Sequence, residues 1–137
     1  MLEEVRKKLY DKLTHPDENI VIGAFYKDKL IGLIYLHRKL MNERIKHIGK
    51  WGIIVHPDFH NQGIGTIILK TLENGAIQIG LIKLEASFQS RNHVAKHVYL
   101  DKLHYKVGGI KRLAILLDNG TFNDEILISK LLNSKSD

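Results

Sequence analysis

The segment from Ile53 to Thr66 carries residue types whose spacing could bind phosphate. An apolar stretch runs into a turn that contains Gly63 and Gly65, and the turn leads directly into a predicted helix. Backbone N–H groups of such a turn lie at the positive end of the helix dipole, where they can donate to an anion. The glycines allow the backbone to approach that anion without intervening Cβ atoms. The turn therefore predicts a phosphate site, although a two-glycine turn before a helix often serves packing alone.

The same turn lacks the residues of two common phosphate-binding motifs. The Gly-Lys-Ser/Thr of a Walker loop is missing, and the dinucleotide fingerprint lacks its third glycine and the acidic residue about twenty positions further on. The absence of cysteine excludes disulfides, thiol catalysis and cysteine-ligated zinc or iron–sulfur sites. His93 and His97 have the spacing of two zinc ligands on a helix, but no glutamate or third ligand accompanies them. We therefore expect a solvated helix face there and no metal.

A second set of candidate residues lies in the predicted helix that opens at Asn92. Asparagine is a favoured residue at a helix N-cap. The residues expected on the buried side of this helix are Val94, Ala95, Val98, Tyr99 and Leu103. On its own, a tyrosine at the position of Tyr99 is most often a core residue with its hydroxyl at the edge of the core.

Taken together, the two segments resemble the GNAT superfamily of N-acetyltransferases. The first is similar to the pyrophosphate-binding motif of the family and runs Val55-x-Pro57-x-x-His60-x-x-Gly63-x-Gly65. The second, Asn92 to Tyr105, is similar to the segment in which an asparagine, an alanine, a tyrosine and a Gly-Phe pair recur, the pair here being His104-Tyr105. The strands predicted after Gly108 resemble the closing strands of the family. The resemblance covers roughly residues 20 to 132 in the expected order, and its nearest subgroup is bacterial.

The resemblance implies a single N-acetyltransferase domain over residues 1–137 with an α/β (α+β) GNAT-like fold. In that fold a mixed, mostly antiparallel, twisted sheet is flanked by helices, and its central strands splay apart. Hydrophobic periodicity independently predicts a mixed α/β architecture. The predicted elements, in chain order, are a helix over Leu2–Leu13, strands over Asn19–Tyr26 and Leu30–Leu36, a strand ending in Trp51–Val55, a helix from Gly63 to Ile79 with Gly80 as C-cap, a strand over Leu81–Phe88, the helix after Asn92, and strands over Val107–Leu117 and Phe122–Leu131.

The resemblance further implies acetyl-coenzyme A (acetyl-CoA) as co-substrate, wedged between the strands that end at Val55 and Phe88. Backbone groups of Ile54 and Val55 would hold the pantetheine arm, and Asn92 would bond the same region. The residues implied in pyrophosphate binding are His60, Asn61, Gln62, Gly63, Ile64, Gly65 and Thr66. Tyr99 would protonate the leaving thiolate as general acid, while a primary amine attacks the thioester directly.

The sequence leaves the general base open. In many relatives a glutamate occupies the position of Ser87, and others carry an acid near Gly49, where this chain has none. Glu85, His47 or a water molecule could take the amine proton. The missing glutamate leaves an alternative function open, a non-catalytic acyl-CoA-binding sensor or subunit. His60 replaces the usual Arg or Gln of the motif, which predicts weaker cofactor binding.

The acceptor is expected to be a small-molecule amine or a protein amino terminus. Relatives usually carry a strand and a helix before the element equivalent to Leu2–Leu13, which predicts a shortened amino terminus in this chain. Because those pieces normally wall the acceptor groove, we expect a homodimer in which the partner completes it.

The charge of the chain favours anionic partners. There are 21 Lys and Arg residues against 15 Asp and Glu, which gives a net charge of +6. No basic run is long enough for a nucleic-acid arm, so we do not expect nucleic acid as a partner. No signal peptide is visible and no apolar run could span a membrane, so we expect a cytoplasmic protein that does not engage membranes.

Overall fold

The computed structural model describes residues 4–8 and 18–132. Its strands are β1 (Glu4–Lys8), β2 (Asn19–Tyr26), β3 (Lys29–His37), β4 (Ile48–Val55), β5 (Lys83–Gln89), β6 (Lys106–Leu116) and β7 (Phe122–Leu131). Its helices are a 3-10 turn (Pro57–Phe59), α1 (Ile64–Gln78) and α2 (His93–Lys96), which continues into a π-helical segment (His97–Lys102). The described strands form one sheet in the order β1-β2-β3-β4-β5-β7-β6, in which only the β4–β5 pair is parallel. The expected mixed, mostly antiparallel sheet is therefore confirmed.

The helix expected over Leu2–Leu13 is wrong for residues 4–8, which form β1 along the edge of β2. The register places Val5 opposite Ala24 and Lys7 opposite Ile22. A helix this short is marginal in water on its own, whereas the edge of β2 offers a ladder of backbone hydrogen bonds. The other positions of the predicted helix lie outside the described residues.

Both predicted hairpins are confirmed. Lys27 and Asp28 join β2 to β3, and both have positive φ angles, of 49° and 62°. A two-residue turn with both residues in this region has the twist that antiparallel strands need. The second hairpin joins β6 to β7 around Asp118-Asn119-Gly120, as the turn sequence predicts.

The apolar face of α1 packs on β2, β3 and β4 and forms the centre of the core. Ile64, Ile68 and Leu72 of the predicted helical stripe are buried, as are Ile22 and Ile34 on the sheet. Spacing of three and four residues placed these side chains on one side of the helix, and their burial follows from that spacing.

The carboxyl end of α1 closes with a Schellman motif. Gly80 adopts a φ of 85°, its N–H donates to the Ile77 carbonyl at 3.1 Å, and the Leu81 N–H donates to the Ala76 carbonyl at 3.0 Å. Leu81 is therefore part of the helix cap, and β5 begins at Lys83 rather than at Leu81 as expected.

The two parallel strands separate soon after they pair. Their paired positions run only from Ile48 opposite Lys83 to Lys50 opposite Glu85. Beyond this point β5 continues to pair with β7 on its other side, while the rest of β4 stays with β3. The splay of the central strands is therefore confirmed, and Trp51 is the first β4 residue beyond the fork.

Candidate active site

The fork between β4 and β5 opens into a groove of about 730 Å³ beside the helices, which we call the helix-side groove. It is lined by the end of β4, the loop that leads into α1, the first turn of α1, and one side of α2 and the π-helical segment. These elements meet because α1 is the crossover that joins the parallel strands β4 and β5, so its amino end lies next to the end of β4. Both sequence motifs thus border one groove.

The free edge of β4 at this groove belongs to Ile53 and Val55. The His56 N–H donates to the Ile31 carbonyl at 2.7 Å, which marks a hydrogen-bonded pair of the β3–β4 ladder. Such pairs alternate along an antiparallel ladder, so Ile54 bonds to β3. Ile53 and Val55 then direct their N–H and C=O groups toward the space that β5 has left.

The assignment of Ile54 to the pantetheine arm is therefore wrong. Its backbone groups are used by β3, and its side chain is 66% exposed and lies outside the groove lining. The alternation of strand residues could have given Ile53 instead, but only once the phase of the hydrogen bonds to β3 was known.

Two left-handed residues shape the loop between β4 and α1. Asn61 has a φ of 63°, and Gly63, the N-cap of α1, has a φ of 76°. No described side chain caps the helix, and its first turn contains no acidic residue. The first N–H groups of α1 have no acceptor within the helix, so they are available to an anion at the positive end of the dipole.

The described side chains around this groove include basic groups and no acidic ones. The basic residues are His60, His93, His97 and Lys102. His60 is fixed against the end of β4, because its Nε2 donates to the Val55 carbonyl at 2.8 Å. A groove lined with one sign of charge attracts ligands of the opposite sign, here a phosphorylated molecule.

Asn92 caps α2 with its side chain. Its Oδ1 accepts a hydrogen bond from the Ala95 N–H at 3.0 Å, which confirms its predicted N-cap role. Asn92 also lines the helix-side groove. Of the residues expected on the buried side of this helix, Val94 is instead 60% exposed and borders the groove.

Tyr99 stands at the inner end of the groove, packed between aromatic rings. Its ring centroid lies 5.2 Å from that of Trp51 and 5.9 Å from that of Phe88, both in edge contacts. No group among the described residues hydrogen-bonds its hydroxyl. Burial raises the pKa of Tyr99 from 10.0 to about 12, because a phenolate would lose hydration there.

A buried polar network lies behind Tyr99. The Trp51 Nε1–H donates to the Tyr105 hydroxyl at 3.1 Å, and that hydroxyl donates to Glu73 Oε2 at 3.0 Å. Lys130 Nζ lies 3.1 Å from both Glu73 oxygens. Burial, followed by the charge of Glu73, raises the pKa of Tyr105. His104, which replaces the family glycine, adopts a left-handed φ of 65°.

The structure gathers most of the predicted cofactor residues around one groove. Those that line it are Val55, His60, Asn61, Gly63, Ile64, Gly65, Thr66, Asn92 and Tyr99. Gln62 is not among them, and its side chain donates to the Asp58 carbonyl at 3.4 Å. Lining residues that the motifs did not single out are Ile53, Phe59, His93, Val94, Ala95, His97, Val98 and Lys102. Those after Asn92 follow its helix, and the helical period is the signal that could have found them.

The candidate bases do not border the helix-side groove. Glu85 lies on the other face of the sheet, in an ion pair with Lys83 at 3.1 Å. His47 lines neither this groove nor the one on that other face, and its carbonyl accepts from the Ile82 N–H at 2.9 Å. Among the described residues, no three His, Asp or Glu side chains group in a way that could hold a metal ion.

Comparison with known proteins gives a family match. The model of the acetyltransferase (GNAT) family matches residues 2–105. The fold is similar to that of an acetyltransferase of the GNAT family from Streptococcus pneumoniae, at 28% identity and a TM-score of 0.78, covering 84% of this chain and 68% of the other. No curated protein sequence matches significantly.

Two further solved structures share the fold at lower identity. The ribosomal-protein-S18-alanine N-acetyltransferase from Escherichia coli is 19% identical, with a TM-score of 0.75 over 85% of this chain and 70% of the other. The protein yncA from Salmonella typhimurium, solved with its cofactor acetyl-CoA, is 16% identical, with a TM-score of 0.75 over 85% of this chain and 66% of the other.

The chain belongs to the GNAT acetyltransferase family, because the family model covers most of its length and the fold agrees. The family uses acetyl-CoA as acyl donor. None of the helices in the described part of the chain is long and apolar enough to cross a membrane.

Proposed function

We propose that this protein is an N-acetyltransferase that moves the acetyl group of acetyl-CoA to a primary amine, with Tyr99 as general acid. One observation carries the proposal beyond family membership. The Tyr99 hydroxyl, which no described group holds, borders a groove that also contains the free edge of β4 and the amino end of α1.

The groove suits acetyl-CoA, which supplies an acetyl group activated as a thioester. The uncapped N–H groups of α1 and the basic side chains of His60 and Lys102 fit a pyrophosphate. The free backbone groups of Ile53 and Val55 fit the amides of a pantetheine arm, in the manner of an added strand. Asn92, whose Oδ1 caps α2, keeps its amide N–H groups for the same arm.

Tyr99 acts as a proton donor to the leaving sulfur. Its raised pKa keeps the hydroxyl protonated throughout the physiological range. Transfer from a phenol to a thiolate, whose ordinary pKa is about 8.5, is uphill. It is drawn forward because the newly acylated nitrogen is a strong acid and returns a proton to the tyrosinate.

The first test is calorimetric titration with acetyl-CoA and with dephospho-CoA, followed by thiol release against a panel of amines. We expect binding and turnover with at least one amine. Binding without turnover on any amine would favour an acyl-CoA-binding sensor instead. Absence of binding would mean that the glycine turn has only a packing role.

The acceptor is proposed to be a small-molecule amine or a protein amino terminus. One neighbour in fold is an N-acetyltransferase for an alanine of ribosomal protein S18, so the panel includes a peptide that begins with alanine. Small amines and this peptide then separate the two acceptor classes.

A homodimer is part of the proposal. β6 lies at the edge of the sheet formed by the described residues and exposes apolar side chains, among them Val107, Ile110, Leu113 and Leu116. Exposed apolar patches often mark interfaces. Sedimentation should give twice the chain mass of 15.7 kDa, and a monomer at working concentration would contradict the dimer.

A further inference from the structure

A second groove, of about 470 Å³, lies on the sheet face opposite the helices, and we call it the sheet-face groove. Strands β4, β5, β6 and β7 form it, and Trp51 at the fork borders it. The Trp51 ring contacts Tyr99, which borders the helix-side groove, so one aromatic contact separates the two grooves. A molecule in the sheet-face groove could therefore reach the fork from the side that acetyl-CoA leaves open.

Glu125 of β7 points its carboxylate into this second groove. Its Oε2 accepts a hydrogen bond from the Ser87 hydroxyl at 2.8 Å, and its side chain is 27% exposed. Glu125 lies opposite Gln89 in the β5–β7 ladder, so it is the diagonal neighbour of Ser87 on the same face. A carboxylate thus sits at the end of the Ser87 side chain, where relatives were expected to place a glutamate.

The position of Ser87 along β5 matches that of Tyr99 across the sheet. Phe88, the next residue, points to the helix side and contacts the Tyr99 ring. Successive strand residues face opposite sides, so Ser87 and Glu125 lie behind Tyr99 at the same level. Glu85, by contrast, is opposite Lys50 in the paired part of the fork, about 7 Å further back at the usual rise per residue.

We infer that Glu125 is the general base that takes the proton from the acceptor amine in the sheet-face groove, an inference that rests on the proposed acetyl transfer. The ammonium of the acceptor gives one proton to the Glu125 carboxylate, and the freed nitrogen lone pair attacks the thioester carbon. The N–C bond forms and the C–S bond breaks. The thiolate takes the Tyr99 proton, and the tyrosinate recovers one from the acylated nitrogen, so the net proton released is the one held by Glu125.

The charges that face Glu125 come from three strands. Lys111 of β6 lies 3.8 Å from its Oε1, at the outer limit of an ion pair. Lys83 and Glu85 of β5 pair with each other at 3.1 Å, and Lys50 of β4 borders the same groove. Glu85 is therefore held by a closer cation than Glu125 is. Glu125 is the carboxylate that an incoming ammonium can engage with less competition.

The test compares Glu125→Gln with Glu43→Gln, a control in an exposed ion pair with Lys46 outside both grooves. We expect Glu125→Gln to lower kcat/KM by about 10²-fold or more and to remove the acidic limb of its pH profile. Acetyl-CoA affinity should not change, because Glu125 lies on the other face from the helix-side groove. Glu43→Gln should leave rates, pH profile and affinity unchanged.

A rescue variant guards against a merely structural loss. Adding Ser87→Glu to Glu125→Gln puts a carboxylate back near the same point from the neighbouring strand. We expect this double variant to recover at least tenfold of the lost kcat/KM and to regain the acidic limb. Failure of the rescue in a protein that folds and binds acetyl-CoA would count against Glu125 as base.

The outcomes separate this inference from the proposed function. If the unsubstituted protein turns over and Glu125→Gln keeps its rate and pH profile, Glu125 is not the base. If Glu85→Gln removes the acidic limb instead, the role belongs to Glu85. If the unsubstituted protein turns over no amine, the proposed function itself fails, and the assignment of Glu125 fails with it.

Discussion

Tyr99 combines a buried ring with a hydroxyl that none of the described residues holds. A buried tyrosine usually gives its hydroxyl a partner, because an unpaired polar group away from water costs free energy. Here the hydroxyl borders a groove large enough for a ligand, so the missing partner is the ligand. The neighbouring Tyr105 has the opposite arrangement, since Trp51 and Glu73 satisfy its hydroxyl.

Replacing Tyr99 with phenylalanine tests its role as proton donor. Tyr99→Phe should lower kcat by about 10²-fold or more and leave acetyl-CoA affinity nearly unchanged, because only the hydroxyl is lost and the ring contacts stay. Steady-state kinetics and calorimetry on the same preparation give both quantities. An unchanged kcat would show that another group, or water, protonates the sulfur.

The burial of Tyr99 also predicts its titration. A pKa raised from 10.0 to about 12 means that the folded protein keeps a proton which the unfolded chain releases at lower pH. The stability from this group is therefore present below pH 10.0 and is lost as the pH rises through about 12. Ultraviolet difference titration of wild type against Tyr99→Phe should show the Tyr99 phenolate only near pH 12. A Tyr99 signal near pH 10 would mean that the ring is solvated.

At the scale of elements, α1 has both ends shaped by left-handed glycines with different consequences. Gly63 at the amino end and Gly80 at the carboxyl end have φ angles of 76° and 85°, and a Cβ at either position would meet no atom within 4 Å. Only the amino end faces the groove. The two positions therefore form a matched pair in which strain is similar and ligand contact differs.

Alanine substitutions at these two positions separate folding from binding. Gly63→Ala and Gly80→Ala should each lower the free energy of unfolding by about 1–2 kcal/mol, the usual cost of a side chain in this conformation. Only Gly63→Ala should weaken acetyl-CoA binding, because it disturbs the N–H groups at the start of α1. Denaturant unfolding and calorimetry measure the two effects. Equal losses of affinity in both variants would mean that the loop does not contact the ligand.

Elements with a local signal were predictable from the sequence, and those with a distant partner were not. α1 has its apolar stripe, its capping glycine and its opening turn within one segment, so its position followed from spacing. β1 depends on the edge of β2, and no pattern within Glu4–Lys8 announces that pairing. The same limit applies to Ile54, since the phase of its hydrogen bonds is set by β3.

The candidate site divides in the same way. The groove around Gly63 and Tyr99 could be assembled from two motifs, each contiguous in sequence. Glu125 could not be found, because its contact with Ser87 follows from the β5–β7 register, across 38 residues of sequence. A carboxylate that acts from a neighbouring strand leaves no mark at the position where a motif would seek it.

At the scale of the whole molecule, one polar network joins the parts on either side of the fork. Glu73 of α1, Trp51 of β4, Tyr105 and Lys130 of β7 form a continuous chain of hydrogen bonds. Glu73 is 9% exposed, so its charge depends on these partners. The network ties helix α1 to strands on both sides of the splay and fixes Trp51 beneath Tyr99.

Loss of the charge at Glu73 should destabilise the whole fold. Glu73→Gln should lower the free energy of unfolding by about 2–3 kcal/mol, because it leaves the Lys130 ammonium and the Tyr105 hydroxyl with a weaker acceptor. Glu43→Gln removes an exposed ion pair with Lys46 and should cost less than about 0.5 kcal/mol. Urea unfolding of both variants makes the comparison. Similar small losses would show that the network adds little stability.

The π-helical segment limits how this part of the chain can change length over evolution. Its wide turn, marked by the Leu103 N–H donating to the Val98 carbonyl at 3.0 Å, holds one residue more than an α-helical turn. Deleting one residue there would leave a regular helix, but everything after the deletion would rotate by about 100° relative to Asn92. Tyr105 would then lose its alignment with Trp51. A shorter and locally more regular segment is therefore closed to this lineage unless the buried network changes with it.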